Sequence, residues 1–284
     1  MLHKDRIPEV SIVIPCYNHG KFIDETLKSI EQIKDSSIYE VIIVNDGSTD
    51  SYTNERLKEI SESGLYNVIF QKNQGVCVAR NIGMSNTRGK YILPVDSDNM
   101  LTPEYIEEAL NIFNNNPEIS IVYADYFLFG DQKGIRKAGK FNLQRLMLGN
   151  FIENCSMMKK ELINAIGGYD PFPTIVGHED WELFLRAAFN GYKFFYLEKP
   201  LFYYRVLPNS QIKRLNANKI KGNTNADYFI KKHVSFYGPQ YIDEYFLSKF
   251  RSNFFGFLYK IILMLYFPEK FSGLVNKGKL RKYL

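Results

Sequence analysis

Short apolar runs alternate with stretches of helical periodicity through the first hundred residues. Residues 10–15 and 40–44 are each apolar apart from Ser11 and Glu40, which is typical of a strand that is buried on both faces. Between these runs, apolar side chains recur at helical spacing, at Phe22, Ile23, Leu27, Ile30 and Ile33. This β-α-β unit predicts a parallel sheet covered by helices.

The same alternation continues to about residue 115. Two more strands and three more helices are predicted, at residues 68–70, 91–95, 54–62, 76–86 and 103–115. The last helix is expected to begin with Thr102 as its N-cap and Pro103 at its first position, because helix N-termini favour both residue types there.

Beyond residue 119 the pattern becomes rich in aromatic and β-branched residues. Four segments are expected to be extended, at residues 119–129, 154–158, 193–197 and 201–206. A helix over 179–190 should end at Gly191, since glycine tolerates the left-handed conformation that closes many helices. We therefore expect a mixed, partly antiparallel second half.

This organisation predicts one catalytic domain followed by an appendage. The domain covers residues 1–213, with one half at about 8–100 and another at about 101–213. A polar stretch then leads into a helical C-terminal extension over 214–284. The predicted fold class is α/β, with a mostly parallel central sheet flanked by helices.

Composition narrows the classes of protein that fit. A chain of 284 residues with 45% hydrophobic content can bury a sizeable core. Its three cysteines are widely spaced in apolar segments, which favours reduced thiols over a disulfide framework or a zinc site. The first nine residues are polar and lack the pattern of a secretory leader. We therefore expect a cytoplasmic location.

The C-terminal tail combines apolar bulk with positive charge. The net charge is +5, and basic residues gather late in the chain, ending with residues 277–282. The apolar stretch 254–267 is interrupted by Lys260 and falls short of the roughly 20 residues that cross a bilayer. It either packs on the catalytic core or lies on the inner face of the cell membrane, where basic residues meet anionic headgroups.

Carboxylates stand at three predicted turns. Asp96 and Asp98 follow the apolar run 91–95, Asp46 follows the second strand, and Asp180 lies at the start of the helix over 179–190. In an open α/β sheet the loops beyond the carboxyl ends of the strands share one crevice. Hard oxygen ligands there suit a divalent cation that carries phosphate, provided that a tight turn brings Asp96 and Asp98 to the same side.

Five segments of the chain resemble glycosyltransferase family 2, and they occur in that family's order. They are residues 11–18, residues 40–50, residues 75–83 with Ala79-Arg80-Asn81, Asp96-Ser97-Asp98, and His178-Glu179-Asp180-Trp181. The resemblance implies a GT-A fold, a nucleotide-diphosphate sugar donor, a divalent metal such as Mn²⁺ or Mg²⁺, and inversion at the anomeric carbon.

The resemblance also implies roles for matching residues around the nucleotide. Asp46 would accept a hydrogen bond from the base, most often uracil, and Arg80 would lie near the nucleotide and its phosphates. The full set expected at the nucleotide is Pro15, Tyr17, Asn18, Asp46, Arg80, Asp96 and Ser97.

Chemistry independently calls for these residue types. A sugar hydroxyl is a poor nucleophile, so displacement needs a carboxylate at the hydroxyl and a cation at the departing diphosphate. The resemblance makes Asp180 the catalytic base, with Glu179 as the rival candidate. Asp98 and Asp96 would hold the metal.

One position departs from the family pattern. Many relatives carry a histidine where this chain has Leu207, and that histidine helps to hold the metal or the diphosphate. Leu207 cannot ligate anything, so the ion has fewer protein ligands here or takes His178 as a substitute. Arg205 and Ser210 are candidate phosphate contacts from a closing loop.

The function that we predict is inverting, metal-assisted transfer of a sugar, with a uridine diphosphate sugar as the expected donor. The acceptor would be a hydroxyl of a saccharide or a lipid-linked glycan, and no nucleic-acid partner is expected. Two alternatives stay open. One is a catalytically silent module on the same fold that binds a nucleotide sugar or serves as a scaffold. The other is a nucleotidyltransferase, although the sequence lacks the Gly-rich, basic phosphate loop expected near its amino terminus.

Overall fold

A computed structural model describes residues 7–171 and 177–208 of the chain, and isolated positions after residue 231. The chain divides into two compact units, Met1–Tyr228 and Phe229–Leu284, and the sheet lies in the first. The predicted boundary after residue 213 falls outside the described residues and stays a prediction, as does the helical extension. Among the described residues, no helix combines the length and the apolar character needed to cross a membrane.

The first half is a parallel sheet with helices packed on it. Its strands are β1 (Val10–Cys16), β2 (Tyr39–Asp46), β3 (Asn67–Gln71) and β4 (Tyr91–Pro94). They lie side by side in the order β3-β2-β1-β4, and every pairing among them is parallel. The helices are α1 (Gly20–Glu31), α2 (Ser51–Glu62) and α3 (Val76–Ser85).

Burial explains why these segments form this sheet. All seven residues of β1 are buried, as its mostly apolar sequence predicted. On α1, Ile23 and Ile30 are fully buried because the amphipathic face lies on the sheet. On α3, a Cβ at Gly83 would lie 2.4 Å from Val13 Cγ1, so the absence of a side chain lets this helix approach β1 closely.

The second half mixes strand directions. Its strands are β5 (Met100–Leu101), β6 (Ile119–Gly130), β7 (Gly134–Arg136), β8 (Met157–Lys159) and β9 (Lys193–Val206). Its helices are α4 (Tyr105–Asn115), α5 (Leu143–Leu148), α6 (Lys160–Ile166) and α7 (Glu179–Phe189). Strands β6 and β9 run parallel, whereas β5 is antiparallel to β9 and β7 to β6.

Strand β8 joins the two halves into one sheet. It lies between β4 and β6 and is antiparallel to both. The α/β class and the mixed second half are therefore confirmed.

Three predicted boundaries in the second half are wrong. Helix α4 begins at Tyr105 with Glu104 as its N-cap. Thr102 does not cap it, because its Oγ1 has no hydrogen-bond partner among the described residues, and its N–H donates to the Leu201 carbonyl (3.0 Å) beside the β5–β9 pairing. The extended segments 193–197 and 201–206 are one strand, β9, with register shifts opposite Asp125. The segment 154–158 is extended in the sheet only from Met157, because the residues before it form a loop.

Candidate active site

A cleft of about 980 Å³ opens beside the ends of β1, β2 and β4. Most residues that the sequence predicted for the site line this cleft. They are Pro15, Tyr17, Asn18, Asp46, Arg80, Asp96, Ser97, Asp98, Glu179, Asp180 and Arg205. His178 is not among the lining residues, and Ser210 lies outside the described residues.

The turn predicted after Asp96 is present. The Asn99 N–H donates to the Asp96 carbonyl (3.0 Å), and both Asp96 and Asp98 line the cleft. The Ser97 carbonyl accepts a hydrogen bond from Thr26 Oγ1 (3.0 Å), which attaches the turn to α1. Burial, together with the charge of Asp96, raises the pKa of Asp98 to about 7.

Arg80 connects α3 with the turn and with α7. Its guanidinium donates to Asp96 Oδ1 (2.7 Å) and to Glu179 Oε1 (2.9 Å). The side chain is only 4% exposed and lies over the Tyr169 ring, 5.1 Å from its centroid. A buried cation held between two carboxylates keeps those carboxylates in fixed positions. Its predicted contact with the nucleotide stays a prediction.

The two acidic residues at the start of α7 differ in their surroundings. Both oxygens of Glu179 accept hydrogen bonds, one from Arg80 and one from the Gly177 N–H (2.5 Å). Asp180 accepts from Asn150 Nδ2 (2.9 Å) and from the Trp181 N–H (2.7 Å). Burial and the neighbouring charge of Glu179 raise the pKa of Asp180 to about 7, which is the range in which a general base works best.

Asp46 holds the loop that follows β3. Its Oδ1 accepts from Gln71 Nε2 (2.7 Å) and from the Gln74 N–H (2.9 Å), and its Oδ2 accepts from the Gly75 N–H (2.9 Å). The residue is 3% exposed. This carboxylate therefore shapes the rim of the cleft ahead of α3, and its predicted contact with a base stays a prediction.

Asn18 holds together the loops that follow β1 and β2. Its backbone adopts a left-handed φ of 55°, a conformation that asparagine tolerates better than most residues. Its Oδ1 accepts from the Thr49 N–H (2.7 Å) and the Asp50 N–H (3.2 Å). Tyr17 beside it is 44% exposed, so its ring is accessible to a ligand.

Arg205 attaches the end of β9 to the Asp96–Asn99 turn. Its Nε donates to the Asp98 carbonyl (2.9 Å), and its backbone N–H donates to Asn99 Oδ1 (3.0 Å). The guanidinium lies 4.3 Å from the centroid of the Phe129 ring. Leu207 follows on the lining of the cleft and offers no ligand there. A contact between Arg205 and phosphate stays a prediction.

The donor set fits a metal shared with a phosphate better than one held by protein alone. Among the residues that the structure describes, no group of three or more His, Cys, Asp or Glu side chains could hold an ion. Asp96 and Asp98 nevertheless present two carboxylates from one turn, and Mg²⁺ is commonly bound through one or two carboxylates together with substrate phosphates and water.

His178, which was predicted as a substitute metal ligand, is not among the residues that line the cleft. It is the N-cap residue of α7, and its ring packs edge-on against Trp181 with the centroids 5.8 Å apart. Ligation of a metal by His178 therefore stays a prediction without support from the cleft geometry.

Sequence reasoning missed several residues of the cleft. Glu153 and Asn154 line it from the loop before β8, and His19 lines it with Nδ1 3.2 Å from Ser97 Oγ. Asn150 positions Asp180. The available signal for the first pair was two adjacent polar residues inside a largely apolar segment, residues 151–158.

Comparison with known proteins agrees with this geometry. The family model described as Glycosyl transferase family 2 matches residues 11–169, more than half of the chain. An uncharacterized glycosyltransferase of Haemophilus influenzae is 28% identical over 206 residues, covering 68% of this chain and 67% of the relative. Glycosyltransferase MJ1057 of Methanocaldococcus jannaschii is 28% identical and covers 80% of this chain and 79% of the relative. Chondroitin synthase of Pasteurella multocida is 26% identical over 97% of this chain, which spans 31% of that protein.

Solved structures show the same fold. TarS of S. aureus in complex with UDP-GlcNAc superposes with a TM-score of 0.61 at 18% identity, covering 72% of this chain and 60% of that chain. The mannosyltransferase PcManGT of Pyrobaculum calidifontis, in complex with GDP-Man and Mn²⁺, gives 0.60 at 17% identity, covering 81% of this chain and 65% of that one. The fold is thus that of GT-A glycosyltransferases. The chain belongs to glycosyl transferase family 2 and is a glycosyltransferase.

Proposed function

We propose that the chain transfers a sugar, with inversion, from a uridine diphosphate sugar to a hydroxyl of a saccharide or lipid-linked glycan, with Asp180 as the general base. One observation carries the proposal. Acidic residues from separate elements, Asp46 at the end of β2, Asp96 and Asp98 after β4, and Asp180 on α7, line one cleft of nucleotide-sugar size.

The proposed reaction is a single displacement. The acceptor oxygen bonds to the anomeric carbon as the bond from that carbon to the diphosphate oxygen breaks, and the hydroxyl proton passes to Asp180. The configuration at the anomeric carbon is inverted because the acceptor oxygen attacks from the face opposite the leaving group. A divalent ion, when bound by Asp98 and Asp96, supplies positive charge to the departing diphosphate.

The surroundings of the two candidate bases favour Asp180. Glu179 accepts a hydrogen bond from the buried Arg80, so a proton on it would break an ion pair. Asp180 has no cationic partner within hydrogen-bonding distance among the described residues, and its pKa of about 7 suits proton transfer at neutral pH. We therefore assign Glu179 a positioning role through Arg80.

Relatives support a nucleotide-sugar donor but differ in the nucleotide. TarS was solved with UDP-GlcNAc and PcManGT with GDP-Man. We propose UDP because Asp46 lies at the end of β2, at the place where the resemblance implies contact with uracil. We also propose a cytoplasmic location, at the inner membrane face if the C-terminal extension contacts lipid. The support is that Cys16, Cys77 and Cys155 are free and buried.

The Asp180→Asn variant tests the assignment of the base. We expect release of UDP from UDP-glucose, UDP-galactose or UDP-GlcNAc, with Mn²⁺, to fall by about 10²–10⁴, which is the usual contribution of a general base. The affinity for UDP should be unchanged, as measured by calorimetry. The matched variant Glu179→Gln should mainly lower stability.

Three outcomes would contradict parts of this proposal. Normal turnover by Asp180→Asn with loss of turnover in Glu179→Gln would move the base to Glu179. Binding of a UDP-sugar by the wild type without any release of UDP would favour the silent binding module. Binding of GDP-mannose, with no UDP-sugar bound, would refute the nucleotide assignment.

Removal of the metal tests the role of Asp98. With Mn²⁺ present, we expect UDP to raise the melting temperature more than UDP does in EDTA, because saturation at about 100 times Kd adds about 2.7 kcal/mol. Asp98→Asn should abolish the difference between the two conditions. An equal shift of the wild type with and without Mn²⁺ would contradict the metal assignment.

A further inference from the structure

Glu153 and Asn154 form a polar pair in an apolar setting. They lie on the loop before β8, between Ile152 and Cys155, which are 1% and 2% exposed. Both line the cleft that holds Asp96 and Asp180. Polar side chains in such surroundings are retained only when something satisfies them or uses them.

Asn154 carries an unsatisfied donor. Its Oδ1 accepts a hydrogen bond from the Tyr169 hydroxyl (2.5 Å), which holds the amide plane in place. Its Nδ2 is buried and has no hydrogen-bond partner among the described residues. The residue is 4% exposed, so protein surroundings exclude bulk water from the amide. A buried N–H group without an acceptor lowers stability, and a bound ligand would remove that cost.

Glu153 supplies the complementary acceptor. One of its oxygens accepts from the Asn154 N–H (2.8 Å), and the described residues give the other no hydrogen-bond partner. Burial raises the pKa of Glu153 to about 8, with further contributions from the charges of Asp180 and Asp96. Glu153 is therefore within electrostatic reach of both the proposed base and the carboxylate at the diphosphate end of the cleft.

We propose that Glu153 and Asn154 bind a hydroxyl group of the donor's transferred sugar and thereby select the sugar. This inference rests on the proposed function. In a single displacement, the transferred sugar lies between the departing diphosphate and the base. Glu153 lines the same cleft as Asp96, at the proposed diphosphate end, and Asp180, the proposed base. A sugar hydroxyl can donate to the carboxyl oxygen and accept from Nδ2 at the same time. The carboxyl can accept through its carbonyl oxygen in either protonation state.

Such a pair favours sugars that present a hydroxyl at this position. A site built to hydrogen-bond a substrate hydroxyl strongly rejects an analogue that lacks it, because the polar groups of the protein are then left unpaired. Epimers that turn the hydroxyl away suffer the same loss. The pair therefore acts on the sugar and leaves the nucleotide untouched.

Calorimetry on the full chain tests the proposal by comparing UDP with UDP-glucose, UDP-galactose and UDP-GlcNAc. For the preferred UDP-sugar, Asn154→Ala should weaken binding by about tenfold, the loss expected for one well-placed hydrogen bond. Glu153→Gln, which keeps the side-chain shape, should weaken it in the same direction by a smaller factor. The affinity for UDP alone should not change in either variant.

Asn142→Ala is the matched control for loss of stability. Asn142 caps α5 by accepting from the Arg145 N–H (2.7 Å) and does not line the cleft, so its removal should leave the ratio of UDP-sugar to UDP affinity unaltered. Unchanged ratios in both Asn154→Ala and Glu153→Gln would overturn the proposal. If the wild type binds no UDP-sugar more tightly than UDP, the proposal also falls. If it binds neither, the proposed function itself fails.

Discussion

The carboxylates in the two halves of the catalytic unit are treated differently by the fold. In the parallel half, Asp46 accepts three N–H hydrogen bonds, one from Gln71 at the end of β3 and two from the loop after β3. In the mixed half, Asp180 receives two and Glu153 receives one among the described residues, and burial raises the pKa of both. Asp46 therefore shapes the loop that borders the cleft, whereas Asp180 and Glu153 keep capacity for protons and ligands.

The largest loss of unfolding free energy is expected from a change at Arg80, where the two halves meet. Arg80→Leu leaves the buried Glu179 without its cation, and breaking a buried pair typically costs about 3–5 kcal/mol. Arg56→Leu is the matched control, since Arg56 also makes two ion pairs, with Asp24 (2.7 Å) and Glu59 (2.6 Å), but is 34% exposed. Surface pairs contribute about 0–1 kcal/mol.

Urea unfolding of both variants at neutral pH measures these costs. Equal losses of stability for Arg80→Leu and Arg56→Leu would show that burial of the Arg80 pairs does not matter. The comparison between the halves would then lose its central contact.

A smaller loss of unfolding free energy is expected from Asp46→Asn. The change replaces one acceptor oxygen with an NH₂ group facing N–H donors, and hydrogen bonds to a charged group contribute about 1.5–3 kcal/mol each. Asp180→Asn should instead leave stability unchanged or raise it, because it removes a partly buried carboxylate whose charged form is disfavoured at that place. Hydrogen exchange at the amides of Gln74 and Gly75 should quicken in Asp46→Asn alone. A similar loss of stability in both variants would contradict the contrast between the halves.

The smallest effect is expected at Glu40, and it depends on pH. Burial acts to raise the pKa of Glu40, but hydrogen bonds from the Arg88 N–H, Ser11 Oγ and Arg88 Nε outweigh it, so the pKa is lowered. A lowered pKa in the folded state means that the stabilisation is present above the unfolded value of about 4.3 and is lost as the pH falls through the folded value.

We therefore expect Glu40→Gln to lower the unfolding free energy by about 1 kcal/mol at neutral pH. The difference from the wild type should shrink as the medium becomes acidic. Glu62→Gln, at an exposed position, is the control. A difference for Glu40→Gln that stays constant with pH would refute the assigned cause.

Local pattern was sufficient for the parallel half but not for the mixed half. The apolar runs of β1 and β2 predict their own burial, and parallel geometry then brings Asp46 and Asp96 to one edge. Thr102 was predicted to cap a helix, yet its Oγ1 caps no N–H among the described residues and its backbone N–H donates to Leu201, a residue distant in sequence. Glu153 and Asn154 were missed because their position near Asp180 depends on the pairing of the next strand, β8, with β4 and β6. Local periodicity carries no information about such long-range pairings.

The brevity of β8 sets a rule for building chimeras of this enzyme. Within the described part of the chain, the three residues Met157–Lys159 provide the backbone link between β4 and β6. A fragment that stops near residue 100 would leave Tyr91 and Ile92 on an unpaired sheet edge, and such edges promote aggregation. A chimera that takes one half from another transferase therefore needs a β8 that pairs with both β4 and β6. Without it, the two halves will not form one sheet.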